Sequence, residues 1–133
     1  MKRRTAAWLA SAAALAGSAF IGAGSANAQT PPHWARLYIT DVGGGYVLVV
    51  VDGKTTYANA EYGVRVMGDD EWFDDYLFGM GIPGLTRTGP DGSFNISTTV
   101  HKSALNEDWG GDEVYAIADV GIDIWSNTIS RSF

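Results

Sequence analysis

The chain has 133 residues, 46% apolar and 18% charged, and no cysteine. That is one domain at most, too apolar for a disordered tail and with no means of forming a disulfide-stapled miniprotein. Its 15 Asp and Glu outnumber nine Lys and Arg, giving a net charge of −6, which argues against direct binding to nucleic acid or an anionic membrane because both would repel it.

Lys2, Arg3 and Arg4 form a positive start, and Ala6 to Ile21 is a short run of small and apolar residues. Ser25-Ala26-Asn27-Ala28 then offers the small-x-small site that a signal peptidase accepts. Residues 1–28 are therefore expected to be a signal peptide of bacterial character, cleaved after Ala28, and the protein to be secreted. The apolar run is too short and too rich in Gly and Ser for a membrane anchor, so no transmembrane span is expected in the mature chain. Cleavage would remove three of the nine bases and none of the acids, leaving a net charge of −9.

Residues 29–33, with Pro31 and Pro32, read as a flexible leader, and residues 34–133 as one domain. Trp34 to Val42 is the first strand-like run, Gly43-Gly44-Gly45 a break, and Tyr46 to Val51 a second run so apolar that burial on both faces is expected. Asp52-Gly53 follows at once. Asp-Gly between strand-like runs is a strong hairpin signal, so Lys54 to Tyr57 is expected to turn back on Tyr46 to Val51. Glu61 to Met67 alternates, with Tyr62, Val64 and Val66 on one face, and runs into the acidic segment Gly68 to Asp75.

From Tyr76 to Gly89 the glycines and Pro83 allow a loop or a ragged edge strand, and Pro90-Asp91-Gly92 is a turn. Ser93 to Val100 alternates most clearly, Phe94, Ile96, Thr98 and Val100 facing inward and Ser93, Asn95, Ser97 and Thr99 outward. Lys102 to Asp108 is the one helical candidate, opened by Ser103 as N-cap and stopped by Gly110-Gly111. Glu113 to Val120 and Gly121 to Phe133 complete about seven strands, which predicts an all-β fold: a small antiparallel β-sandwich with one short helical turn.

Val64-Arg65-Val66-Met67-Gly68-Asp69-Asp70, Asp74-Asp75-Tyr76-Leu77 and Thr88-Gly89-Pro90-Asp91-Gly92-Ser93-Phe94 together resemble the pattern of transthyretin-like secreted domains, over about 30 residues. There a strand enters an Asp-rich loop and a Gly-containing turn opens the next strand. The resemblance implies a seven- or eight-stranded sandwich used extracellularly for binding. The chain departs from it in lacking the family's usual cysteines. The family's enzyme branch, which hydrolyses 5-hydroxyisourate, ends in Tyr-Arg-Gly-Ser and uses several histidines. Ser130-Arg131-Ser132-Phe133 and only two histidines stand here, so that activity is not carried over.

Two acidic clusters are the candidate sites: Asp69, Asp70, Glu71, Asp74 and Asp75, and then Glu107, Asp108, Asp112 and Glu113. Carboxylates so crowded repel one another unless solvent, salt or a cation screens them, and Ca²⁺ takes six to eight oxygen ligands. Asp69, Asp70, Asp74 and Asp75, with Asp91 brought in by the fold, are the candidate Ca²⁺ ligands, although no EF-hand register is present. A solvated acidic loop is the plain alternative. Trp72, Phe73, Tyr76 and Trp109 interleave with the acids and are the candidate contacts for an extracellular protein or glycan, while Trp34 and Trp125 read as packing.

Catalytic signals are thin: no G-x-S-x-G, no H-E-x-x-H, and His33 and His101 far apart in sequence. A carboxylate pair such as Asp74 with Glu107 could in principle cleave glycosides, on a chain small for the cleft this needs. The expectation is a secreted, non-catalytic binding module using acidic, aromatic-containing loops. The alternatives are a Ca²⁺-stabilised structural or envelope-associated domain and, behind it, a small carboxylate-dependent hydrolase.

Overall fold

Alternating β-branched and aromatic residues form seven strands: β1 Trp34–Gly43, β2 Tyr46–Lys54, β3 Gly63–Asp69, β4 Asp74–Met80, β5 Ser93–His101, β6 Asp112–Asp119 and β7 Asp123–Arg131. The structure is a computed structural model that describes residues 31–106 and 111–133. The expected signal peptide, its Ala28 site, and Glu107, Asp108 and Trp109 lie outside the described residues. Strands β1-β2-β5 make one antiparallel sheet and β4-β3-β6-β7 the other. The chain passes between sheets after β2, after β4 and after β5, so the all-β sandwich holds.

The core lies between the sheets. Val47, Val49 and Val51 of the central strand β2 are fully buried against Val64, Val66, Val114 and Ala116 of the facing sheet. Each such valine contributes about 1.5–3 kcal/mol relative to exposure. The intervening Leu48 and Val50 are only half-buried, so β2 is covered on one face rather than two. Among the described residues no layer lies beyond these three strands, and that outer face is open.

Asp52-Gly53 does not turn. Strand β2 runs through it to Lys54, with Gly53 opposite both Ala35 and Phe94. A Cβ on Gly53 would lie 2.3 Å from the Phe94 ring and from the Trp34 carbonyl oxygen, so this glycine admits a close approach of neighbours. The turn from β1 to β2 is instead made by Gly43, Gly44 and Gly45, all with positive φ. Pro90-Asp91-Gly92 turns as expected: Gly92 has φ +80, and Asp91 accepts hydrogen bonds from the Ser93 amide at 3.0 Å and the Ser93 hydroxyl at 2.6 Å.

The helical segment reduces, among the described residues, to a single 3-10 turn at Lys102–Ala104. Its cap is His101, whose Nδ1 accepts from the Ser103 amide, and not Ser103. Residues 33–133 form one compact unit that takes in His33, whose Nδ1 lies 3.0 Å from the Thr55 hydroxyl. No helix among the described residues is long and apolar enough to cross a membrane.

On one side of the sandwich the edge strands β1 and β7 meet. Asn127 joins them by accepting from the Leu37 amide at 2.8 Å and donating to the Leu37 carbonyl at 3.2 Å. One side-chain amide thus completes what a strand neighbour would supply to β1. A bulge in β7 makes this possible. Tyr115 pairs with Thr128 but Ile117 with Trp125, leaving one extra residue on β7, and the Ser126 hydroxyl accepts the Ala116 amide at 2.8 Å in place of the lost ladder bond.

Candidate functional site

Strands β3, β4, β6 and β7 carry the acidic residues to one end of the sandwich. Asp69 and Asp74 are the last cross-strand pair before the β3–β4 turn, and Glu113 lies one residue before Val114, the partner of Gly68. The two clusters that are distant in sequence are therefore neighbours, as far as Asp112 and Glu113 are concerned. An open pocket of about 350 Å³ is lined by Gly68, Asp69, Asp70, Glu71, Gly111, Asp112 and Glu113, with fully buried Leu105 also in its lining.

Asp91 does not join this group. It sits before the start of β5, whereas the pocket lies beyond that strand's other end. Nine residues of extended chain put about 25 Å between them. Its carboxyl is held below the ordinary range by hydrogen bonds from Ser93, the hydroxyl first and the amide second, so its chemistry is that of a turn. Among the described residues no group of three or more His, Cys, Asp or Glu is arranged to hold a metal ion. The carboxylates of β4, β3 and β6 stand side by side along a row at strand spacing rather than converging on a point.

The row is electrostatically strained. Burial, then the charge of Asp74 and a hydrogen bond with it, then Glu113, together hold the Asp69 carboxyl above its ordinary value of 3.8. Asp74 also accepts a 2.6 Å hydrogen bond from the Tyr115 hydroxyl, and Glu113 accepts from Ser130 at 3.3 Å. The bases at this end do not relieve the row: Lys102 and Arg131 both turn to Asp41, at 3.0 and 3.4 Å. The Lys102 hydrogen bond is the main cause of the lowered Asp41 carboxyl.

Aromatic residues frame the acids. Trp72 and Phe73 occupy the β3–β4 turn and are each 81% exposed, so they cover no part of the core. Tyr76 on β4 is 61% exposed, while Phe78 packs against the core. Trp125, read from sequence as packing, is 43% exposed and stacks on Tyr115, with ring centroids 5.1 Å apart and planes 14° apart. Tyr115 itself is 2% exposed. It was invisible as a site residue because Glu113 to Val120 places apolar residues at nearly every position, so alternation gave no face. No protein-family model matches the chain, and comparison with curated proteins and with solved structures likewise returned no match.

Proposed function

We propose that this is a secreted, non-catalytic binding module that engages an extracellular protein or glycan through the acidic, aromatic end of its sandwich. The observation that carries the reading is the exposure of Trp72 and Phe73 at the tip of a hairpin whose base is ringed by carboxylates. Two large apolar rings held almost wholly in water cost hydrophobic free energy that a monomer's own packing does not recover. Rings of this kind act as anchors when a partner covers them.

The test is a pair of measurements on the double variant Trp72→Ala/Phe73→Ala. Its melting temperature should stay within about 2 °C of the parent, since neither ring is packed. Its signal on peptide and glycan arrays should fall at least tenfold wherever the parent binds. A large loss of stability, or arrays on which parent and variant behave alike, refutes the reading.

The calcium reading keeps one observation in its favour, the gathering of Asp69, Asp70, Glu71, Asp112 and Glu113 around one pocket. It is decided by melting the protein in EDTA and in millimolar Ca²⁺ at fixed ionic strength. A site in hundredfold excess of ligand gains about 2.7 kcal/mol, a shift of several degrees that Na⁺ would not reproduce. No shift removes calcium and leaves the acids to a partner.

A further inference from the structure

The outer face of the four-stranded sheet is organised in rows that run across the strands. One row is Asp74, Asp69, Glu113 and Ser130 on β4, β3, β6 and β7; the next is Tyr76, Met67, Tyr115 and Thr128. A third begins at Gly79 and continues through Arg65 and Ile117 to Trp125. Four strands at about 4.8 Å spacing make each row about 14 Å long. The face is thus an aromatic platform, Tyr76 at one edge and Trp125 on Tyr115 at the other, bordered on one side by three carboxylates.

Tyr115 and Ile117 are buried in the middle of this face, Tyr115 beneath the stacked Trp125, while Tyr76 and Trp125 stay exposed at its two edges and Met67 half-exposed between them; the charge along the border is of one sign. Among the described ion pairs none involves Asp69, Asp74 or Glu113, and Arg65, the base of the third row, is held by Asp123 at 3.0 Å. We propose that this face receives a basic polypeptide segment, lying along the rows with arginine or lysine side chains on the carboxylates and their stems on Tyr76, Met67 and Trp125. The inference rests on the binding reading above and names its partner class.

Four physical arguments favour that occupant. Like charges directly opposite on neighbouring strands are unfavourable, and a cation laid along the row removes the repulsion between Asp69, Asp74 and Glu113. The carboxylates are spaced along a line, which suits an extended chain with repeated cationic groups better than a single ion that needs converging ligands. Exposed Tyr and Trp rings attract guanidinium and ammonium groups over their faces, and the aliphatic stems of those side chains cover apolar surface. Ionised carboxylates only accept hydrogen bonds, which matches the donor-only inventory of arginine and lysine.

The test uses the purified protein and a short fluorescein-labelled peptide of alternating arginine and threonine, read by fluorescence anisotropy, with the glutamate–threonine peptide and cellohexaose as comparators. Binding of the arginine peptide alone is expected, weakening steeply with salt. Glu113→Gln and Trp125→Leu should each weaken it by about three- to fivefold, and Asp69→Asn/Glu113→Gln by about tenfold or more. Circular dichroism melts establish that each variant is folded, and Glu113→Gln, an exposed isosteric change, keeps the test open should Trp125→Leu unfold.

Loss of peptide binding in Trp72→Ala/Phe73→Ala with none in Glu113→Gln or Trp125→Leu overturns the face and leaves the hairpin tip as the site. Peptide binding that neither set of variants weakens refutes the tip and the face together. Equal binding of the arginine and glutamate peptides, preferential binding of cellohexaose, or no binding of the arginine peptide overturns the partner class.

Discussion

Replacing Asp69 by Asn tests the strain in the acidic row directly. Asp69 and Asp74 are cross-strand partners, and burial together with the neighbouring charge of Asp74 disfavours the ionised form of Asp69. Because the folded-state value of Asp69 is raised, the native protein holds more protons than the unfolded chain between 3.8 and that raised value, and stability falls as pH climbs through this window. Above it Asp69 is ionised and the repulsion is present in full; below 3.8 it is absent.

Asparagine offers an N–H to the Asp74 carboxylate and removes one charge, so the variant should be more stable than the parent at pH 7. Opposed like charges on neighbouring strands cost about 0.2–1 kcal/mol. Discounting for the solvent that reaches this partly buried pair leaves about 0.5 kcal/mol. For a domain near a hundred residues this is a gain of about 2–4 °C in Tm. Calorimetric melts at pH 7 and at pH 3 should show the gain at the first and its disappearance at the second, with 1 M salt shrinking the pH 7 difference. A variant less stable at pH 7, or equally shifted at both pH values, refutes the reasoning.

Other predictions concern the frame that holds the site. Tyr115→Phe keeps the stack on Trp125 but removes the 2.6 Å bond to Asp74; it should cost about 1 kcal/mol at pH 7, as measured by denaturant titration. Gly53→Ala drives a methyl into the Phe94 ring and the Trp34 carbonyl and should destabilise by about 1–3 kcal/mol, visible as a Tm lowered by several degrees. Asn127→Ala strips Leu37 of both partners on β7. It should cost about 1–3 kcal/mol and raise the hydrogen-exchange rate of the Leu37 amide well beyond the global change.

The strands were legible where one face alone is apolar. Tyr62, Val64 and Val66 are buried, and Ser93, Asn95, Ser97 and Thr99 face water, as simple alternation predicts. Strand β2 was misjudged because a run of valines says nothing about whether a second layer exists to cover its outer face. The Asp-Gly signal at 52–53 failed for a different reason. A two-residue turn is a local preference, and here it is outweighed by ladders to β1 and β5 that continue through both residues. Within the site, the meeting of the acidic clusters was open to sequence reasoning as a possibility, but the choice of Asp112 and Glu113 over Asp91 depends on which end of the sandwich each loop occupies, which only strand order decides.

The aromatic face was the least legible part, and the cause is two single-residue irregularities. On β4, Met67 pairs with Tyr76 and Val66 with Phe78, so Leu77 is extra. Residues 76 and 78 would share a face in a regular strand; the bulge sends Tyr76 out to water and Phe78 in toward the core. On β7 the extra residue between Trp125 and Thr128 has the same effect in reverse, placing both on the outer face although their spacing is odd. Period-two reading assigns one member of each pair to the wrong side. The bulges thus take an aromatic from each flanking strand and set it beside Tyr115 and Met67 of the central pair, while Ser126 and Asn127 use the same break in β7 to satisfy Ala116 and close the seam to β1. The seam to β1 and the shared outward placement of Trp125 and Thr128 therefore depend on one local feature, and a substitution that regularised β7 would remove both together.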